Sequence, residues 1–102
     1  MDLDKCFAKD SDQYYQLGLD YLSLTTDNID GAYELTKRSW DLSSRWSNLQ
    51  ADSGKIAKMH GLTKTDLSTL CQQRYRQCHL IHEHCRMIWR LGTETLRSQP
   101  NR

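Results

Sequence analysis

A chain of 102 residues has room for one small domain, and 37% hydrophobic with 26% charged residues is polar without the composition of a disordered segment. One proline and five glycines give too few breaks for a β-rich fold, and no run approaches the roughly 18 apolar residues of a membrane span. The net charge of +1 hides an asymmetry: residues 1–36 hold eight acids and two bases, the remainder five acids and twelve bases. Such a split predicts either an acidic segment lying on a basic one or a basic face offered to a partner.

The acidic opening MDLDKCFAKDSD lacks the apolar core of a secretory signal, so the four cysteines are expected to be reduced thiols in a cytoplasmic protein. The expected architecture is all-α: a short N-terminal helix packed on a long antiparallel helical hairpin. The whole chain forms one domain, with helices at about 11–25, 28–60 and 64–98. In the first helix, Asp10 and Gln13 have capping-box spacing, and Tyr14, Leu17, Tyr21 and Leu24 recur at three and four residues. Tyr15, Leu19 and Leu22 occupy nearly the opposite side, so this helix has more to bury than one neighbour can cover.

Asp27 is the expected N-cap of the second helix. From there Leu35, Leu42, Leu49 and Ile56 repeat every seven residues, with Ala32, Ser39, Trp46 and Ser53 as the companion row. Gly54 is expected to loosen this helix and Gly61 to end it. Ile29, Tyr33 and Trp40 flank its first half, where the first helix is expected to dock. Thr63 and Asp66 open a third helix that runs until just before Pro100. At 100° per residue, Leu67, Cys71, Cys78, Cys85, Trp89 and Leu96 share one face, with Leu70, Ile81 and Ile88 on one flank and Tyr75 and His82 on the other.

A turn centred near Leu62 pairs Cys71 with Ser53, Cys78 with Trp46, Cys85 with Ser39 and Gly92 with Ala32. Most of these layers set small against small, which lets two helix backbones approach closely, and a buried free cysteine behaves as a small hydrophobe. The stretch CQQRYRQCHLIHEHC also invites a metal reading. Residues seven apart on a helix are separated by about 10.5 Å, whereas zinc–thiolate bonds are about 2.3 Å. The three heptad cysteines therefore cannot share one ion. Cys78, His82 and Cys85 are close enough in spacing to contribute to a soft-metal site for zinc or copper(I), completed by a second chain. His79 or, better, His82 is the candidate axial ligand for a haem.

Opposite the cysteines the last helix carries the basic residues Arg76, Arg86, Arg90 and Arg97, with His79 among them and Gln72 and Glu83 interrupting. This stripe is a solvated face, a contact for an acidic partner, or a track for nucleic-acid phosphates. There is no Gly-rich phosphate loop, no serine-centred elbow and no histidine placed to activate a cysteine, so no enzyme activity is expected. With the first helix over Ile29, Tyr33 and Trp40, apolar surface around Trp46, Leu49, Ile56 and Tyr75 lacks a cover. The sequence thus predicts a non-enzymatic interaction module that buries an aromatic groove, anchored by Trp40, Trp46 and Trp89, against a protein partner or a second copy.

Overall fold

The computed structural model describes residues 7–98, which form four helices and no strand. They are α1 (Ala8–Leu22), α2 (Ile29–Ala51), α3 (Ser53–His60) and α4 (Lys64–Ser98), and the dominant packing is between α2 and α4. Cys6, Pro100 and the chain ends lie outside the described residues.

Local chemistry sets the helix ends. The α2 N-cap is Asn28, one residue past the expected Asp27, and its side chain accepts the Gly31 N–H at 2.9 Å. Thr63 caps α4 as expected, its hydroxyl accepting from the Asp66 N–H at 3.1 Å. Gly61, at φ 67°, takes the left-handed conformation that closes α3, and the Leu62 N–H reaches back to the Ala57 carbonyl at 2.8 Å. The expected 28–60 helix is interrupted at Asp52 (φ −96°, ψ 13°), two residues before the glycine expected to loosen it. The Ile56 N–H still bonds the Asp52 carbonyl at 3.0 Å, so the axis is stepped rather than broken. α1 begins earlier than its capping pattern predicts, because Asp10 is not a cap: its carboxylate bonds Arg45 at 3.1 Å; the helix also ends earlier, at Leu22.

Leu67, Cys71, Cys78 and Cys85 of α4 are fully buried, and so are Ala32, Ser39 and Trp46 of α2. The hydroxyl of buried Ser39 bonds the Leu35 carbonyl of its own helix at 2.6 Å, so this small polar side chain enters the core satisfied. The helices are antiparallel in a register shifted from the expected one. A Cβ on Gly92 would come within 2.6 Å of Ile29, and the Trp89 ring lies 5.7 Å from that of Tyr33. Gly92 therefore faces Ile29, not Ala32, because the reversal centres on left-handed Gly61 rather than on Leu62.

The position of α1 is the main correction to the sequence reading. It does not cover Tyr33 and Trp40, which are exposed. Phe7 and Tyr14 instead pack their rings 6.4 and 6.5 Å from that of Trp46, closing the end expected to stand open. Charge matching explains the choice: Asp20 meets Arg38 at 2.7 Å and Asp10 meets Arg45, so the acidic segment lies on the basic one. Both ion pairs are at least partly solvated, so they fix position more than they add stability. The hydrogen bonds Ser11–Arg74 and Tyr21–His84 each span 63 residues, so α1 runs parallel to α4 and in step with it.

Candidate functional site

Arg74 anchors the junction of α1 and the hairpin, and nothing in the sequence pattern singled it out. It is 5% exposed, and its guanidinium lies 5.0, 5.3 and 4.9 Å from the ring centroids of Tyr14, Tyr15 and Trp46. It also donates to the Ser11 hydroxyl at 2.6 Å and to the Tyr15 hydroxyl at 3.0 Å. A planar, weakly hydrated cation suits such a stack better than lysine would. Arg74 therefore belongs to the core, unlike its neighbour Arg76, which is exposed.

The residues expected at an open aromatic groove separate into two groups. Trp46 and Leu49 are enclosed by the chain itself, and Ile56 and Tyr75 pack against the same core, so none of the four is the uncovered surface the sequence predicted. Trp40 (53% exposed) and Trp89 stay at the surface with Tyr33, on the face of the hairpin away from α1. There the rings run together: Trp40 lies 5.1 Å from His82, His82 6.3 Å from His79, and His79 stacks on Tyr75 at 6.0 Å. Lys37 sits 4.8 Å above the Tyr33 ring. Arg86, Arg90 and Arg97 are exposed on the adjoining edge of α4, with His79 3.7 Å from Glu83.

The proposed metal ligands are not brought together. His82 donates its Nδ1–H to the Thr36 carbonyl at 3.0 Å, beside Trp40, while Cys78 and Cys85 are buried in the helix interface. Burial pushes the Cys78 and Cys71 thiols up to about 11 and raises Cys85 as well, so all three stay protonated. A metal needs thiolates, and among the described residues no three His, Cys, Asp or Glu side chains gather as they would around an ion. The same placement leaves His82 committed to α2 rather than poised as a haem ligand.

A different surface is left open. Tyr15, Leu19 and Leu22 of α1, the second apolar side read from the sequence, face solvent. Across from them on α4, Leu80, Met87 and Leu91 are also exposed. Two clefts lie along this side. One of about 550 Å³ lies among Tyr15, Gly18, Leu19, Leu22, Gln77 and Ile81. The other, of about 540 Å³, includes Ile29, Met87, Ile88, Leu91 and Leu96. Between them stands the 2.6 Å hydrogen bond from Tyr21 to His84 Nδ1. The signal for the α4 part was present in the sequence as Leu80, His84, Met87 and Leu91, a second row at spacings of four, three and four.

Comparisons of the chain with protein-family models, with curated proteins and with solved structures return no match. No helix among the described residues is long and apolar enough to cross a membrane.

Proposed function

We propose that this small all-helical domain is a non-enzymatic interaction module whose docking surface is the apolar band between α1 and α4. The observation that carries the reading is that Tyr15, Leu19 and Leu22 of α1 and Leu80, Met87 and Leu91 of α4 are all half or more exposed, beside the two clefts that flank the Tyr21–His84 contact. Exposed apolar patches of this kind mark association sites, and a groove between two parallel helices accepts a further helix in the manner of a bundle. The finer roles of adaptor, regulator or chaperone-like partner, in the cytoplasm, are compatible with such a surface. The absence of enzyme activity is part of the proposal, supported by thiols that are buried and protonated rather than nucleophilic.

Site-specific photocrosslinking in cells tests it. A photoreactive residue at Leu19 or Leu91 is expected to capture a polypeptide, whereas the same residue at exposed Asn48, on the outer side of α2, captures none. Equal capture at all three positions, or none at Leu19 and Leu91, defeats the reading.

One observation supports a second reading. The sequence separated the arginine stripe from aromatic residues, but folding sets exposed Tyr33, Trp40 and Trp89 along the edge that carries Arg86, Arg90 and Arg97. Stacking rings beside cations suit single-stranded nucleic acid. On this reading Trp40→Ala weakens binding, and removing one phosphate-contacting arginine lowers the salt slope by about 0.7. Affinity independent of salt rules it out.

A further inference from the structure

We infer that the occupant of the α1/α4 band is a second copy of this chain, packed about a two-fold axis parallel to the helices so that α1 of each copy lies on α4 of the other. The inference rests on the interaction-module reading and names its partner.

Area is the first argument. Tyr15, Leu19, Leu22, Leu80, Met87 and Leu91 are 50–81% exposed. Six large side chains at that exposure present roughly 600–700 Å², at or just above the upper end of the roughly 300–600 Å² of the largest patch on a typical monomer. That approaches the roughly 800 Å² that each partner contributes to a standard interface. A lone peptide helix would cover one groove. A second copy covers both helix edges at once, because the band is built from two parallel helices and a two-fold interface sets one patch against itself.

Charge selects between the two ways of stacking such a band. With the axis across the helices, α1 meets α1 and α4 meets α4, so an acidic rim residue of α1 and a basic rim residue of α4 never face each other. With the axis along the helices, α1 meets α4. Asp12 borders the band on α1, one turn before Tyr15, and Arg76 borders it on α4, one turn before Leu80; both are exposed. The Ser11–Arg74 and Tyr21–His84 contacts put residue n of α1 level with residue n + 63 of α4. Asp12 is therefore level with position 75, one rise of about 1.5 Å from Arg76. The lengthwise two-fold preserves levels, so each Asp12 meets the other copy's Arg76, twice per dimer. Opposite charges at the rim of an apolar patch set register and orientation.

Gly18 gives the surface room. It lines the α1 cleft, and a Cβ there would meet nothing within 4 Å, so a partner side chain can enter between the helices.

Sedimentation equilibrium on the full chain under reducing conditions, from 1 to about 100 μM, is the test. The wild type is expected at the dimer mass. Leu22→Asp combined with Leu91→Asp is expected to sediment as a monomer with unchanged helical circular dichroism. Gly18→Leu, which adds no charge and favours the helix, is expected to weaken the dimer by filling the cleft. Asp12→Arg and Arg76→Asp each raise the dissociation constant several-fold at low salt, and the combined exchange restores it. A monomer throughout this range overturns the proposal, as does a dimer indifferent to both the aspartate pair and Gly18→Leu. A combined exchange no tighter than the single changes overturns the α1-on-α4 arrangement. A monomer whose Leu91 photocrosslinks to a different protein removes the second copy and leaves the module reading standing.

Discussion

Two apolar rows run along α4 with similar helical spacing and opposite fates. Leu67, Cys71, Cys78 and Cys85 are fully buried, whereas Leu80, Met87 and Leu91 are at least half exposed. The difference lies in what stands opposite. The cysteine row meets a 23-residue helix whose facing positions include Ala32 and Ser39, small enough for close backbone approach. The outer row is served by a 15-residue helix that covers Trp46, buries its own Leu17 and then ends at Leu22. Hydrophobic spacing thus fixes which residues share a face of a helix, while the length and placement of the neighbour decide whether that face is covered.

The contrast can be broken hardest at its enclosed end. Trp46→Ala removes a fully buried ring that touches Phe7, Tyr14 and Arg74, and should cost about 3–5 kcal/mol in urea unfolding. Leu22→Ala, on a side chain 81% exposed, should stay within about 0.5 kcal/mol of wild type when both are measured under monomeric conditions.

Alkaline pH attacks the cysteine row specifically. Folding raises the Cys71 and Cys78 thiols from 9.0 to about 11, so between these values the unfolded chain has lost protons that the folded chain still holds. Stability is therefore unaffected below about pH 8 and falls as pH rises from 9 towards 11, by on the order of 2 kcal/mol for each thiol. Unfolding midpoints across that range, compared with Cys71→Ala/Cys78→Ala, check it: the double variant should show a shallower alkaline loss.

Overfilling the same row is the next effect. Cys85→Leu puts extra volume into a fully buried position and should cost about 1–3 kcal/mol in denaturant unfolding. An equal change at exposed Arg86 should be nearly silent.

Two of the helical glycines, Gly18 and Gly92, provide the finest comparison. Gly18→Ala adds a Cβ to open space within α1 and should raise stability by about 0.5–1 kcal/mol. Gly92→Ala sets its Cβ within 2.6 Å of Ile29 Cγ1, so the helix-propensity gain should be cancelled or reversed. Thermal midpoints moving in opposite directions, or one rising while the other does not, would show that contact rather than propensity decides the second site.

Much of this was legible in the chain itself, because it depends on neighbours a few residues apart. Three- and four-residue spacing determined the all-helical class and the cysteine face, and Thr63 and Gly61 marked the ends around the turn. The two-sided apolar character of α1 was readable too, and Leu19 and Leu22 do remain uncovered. Tertiary structure alone decided where α1 docks, since Tyr33 and Trp40 offered it an apolar flank as plausible as Trp46 did. The outcome turned on ion pairs such as Asp10–Arg45, separated by 35 residues, and on a buried arginine shared by three rings. Such contacts leave no period in the sequence, and they moved the open surface from the turn end of the hairpin to the side between α1 and α4.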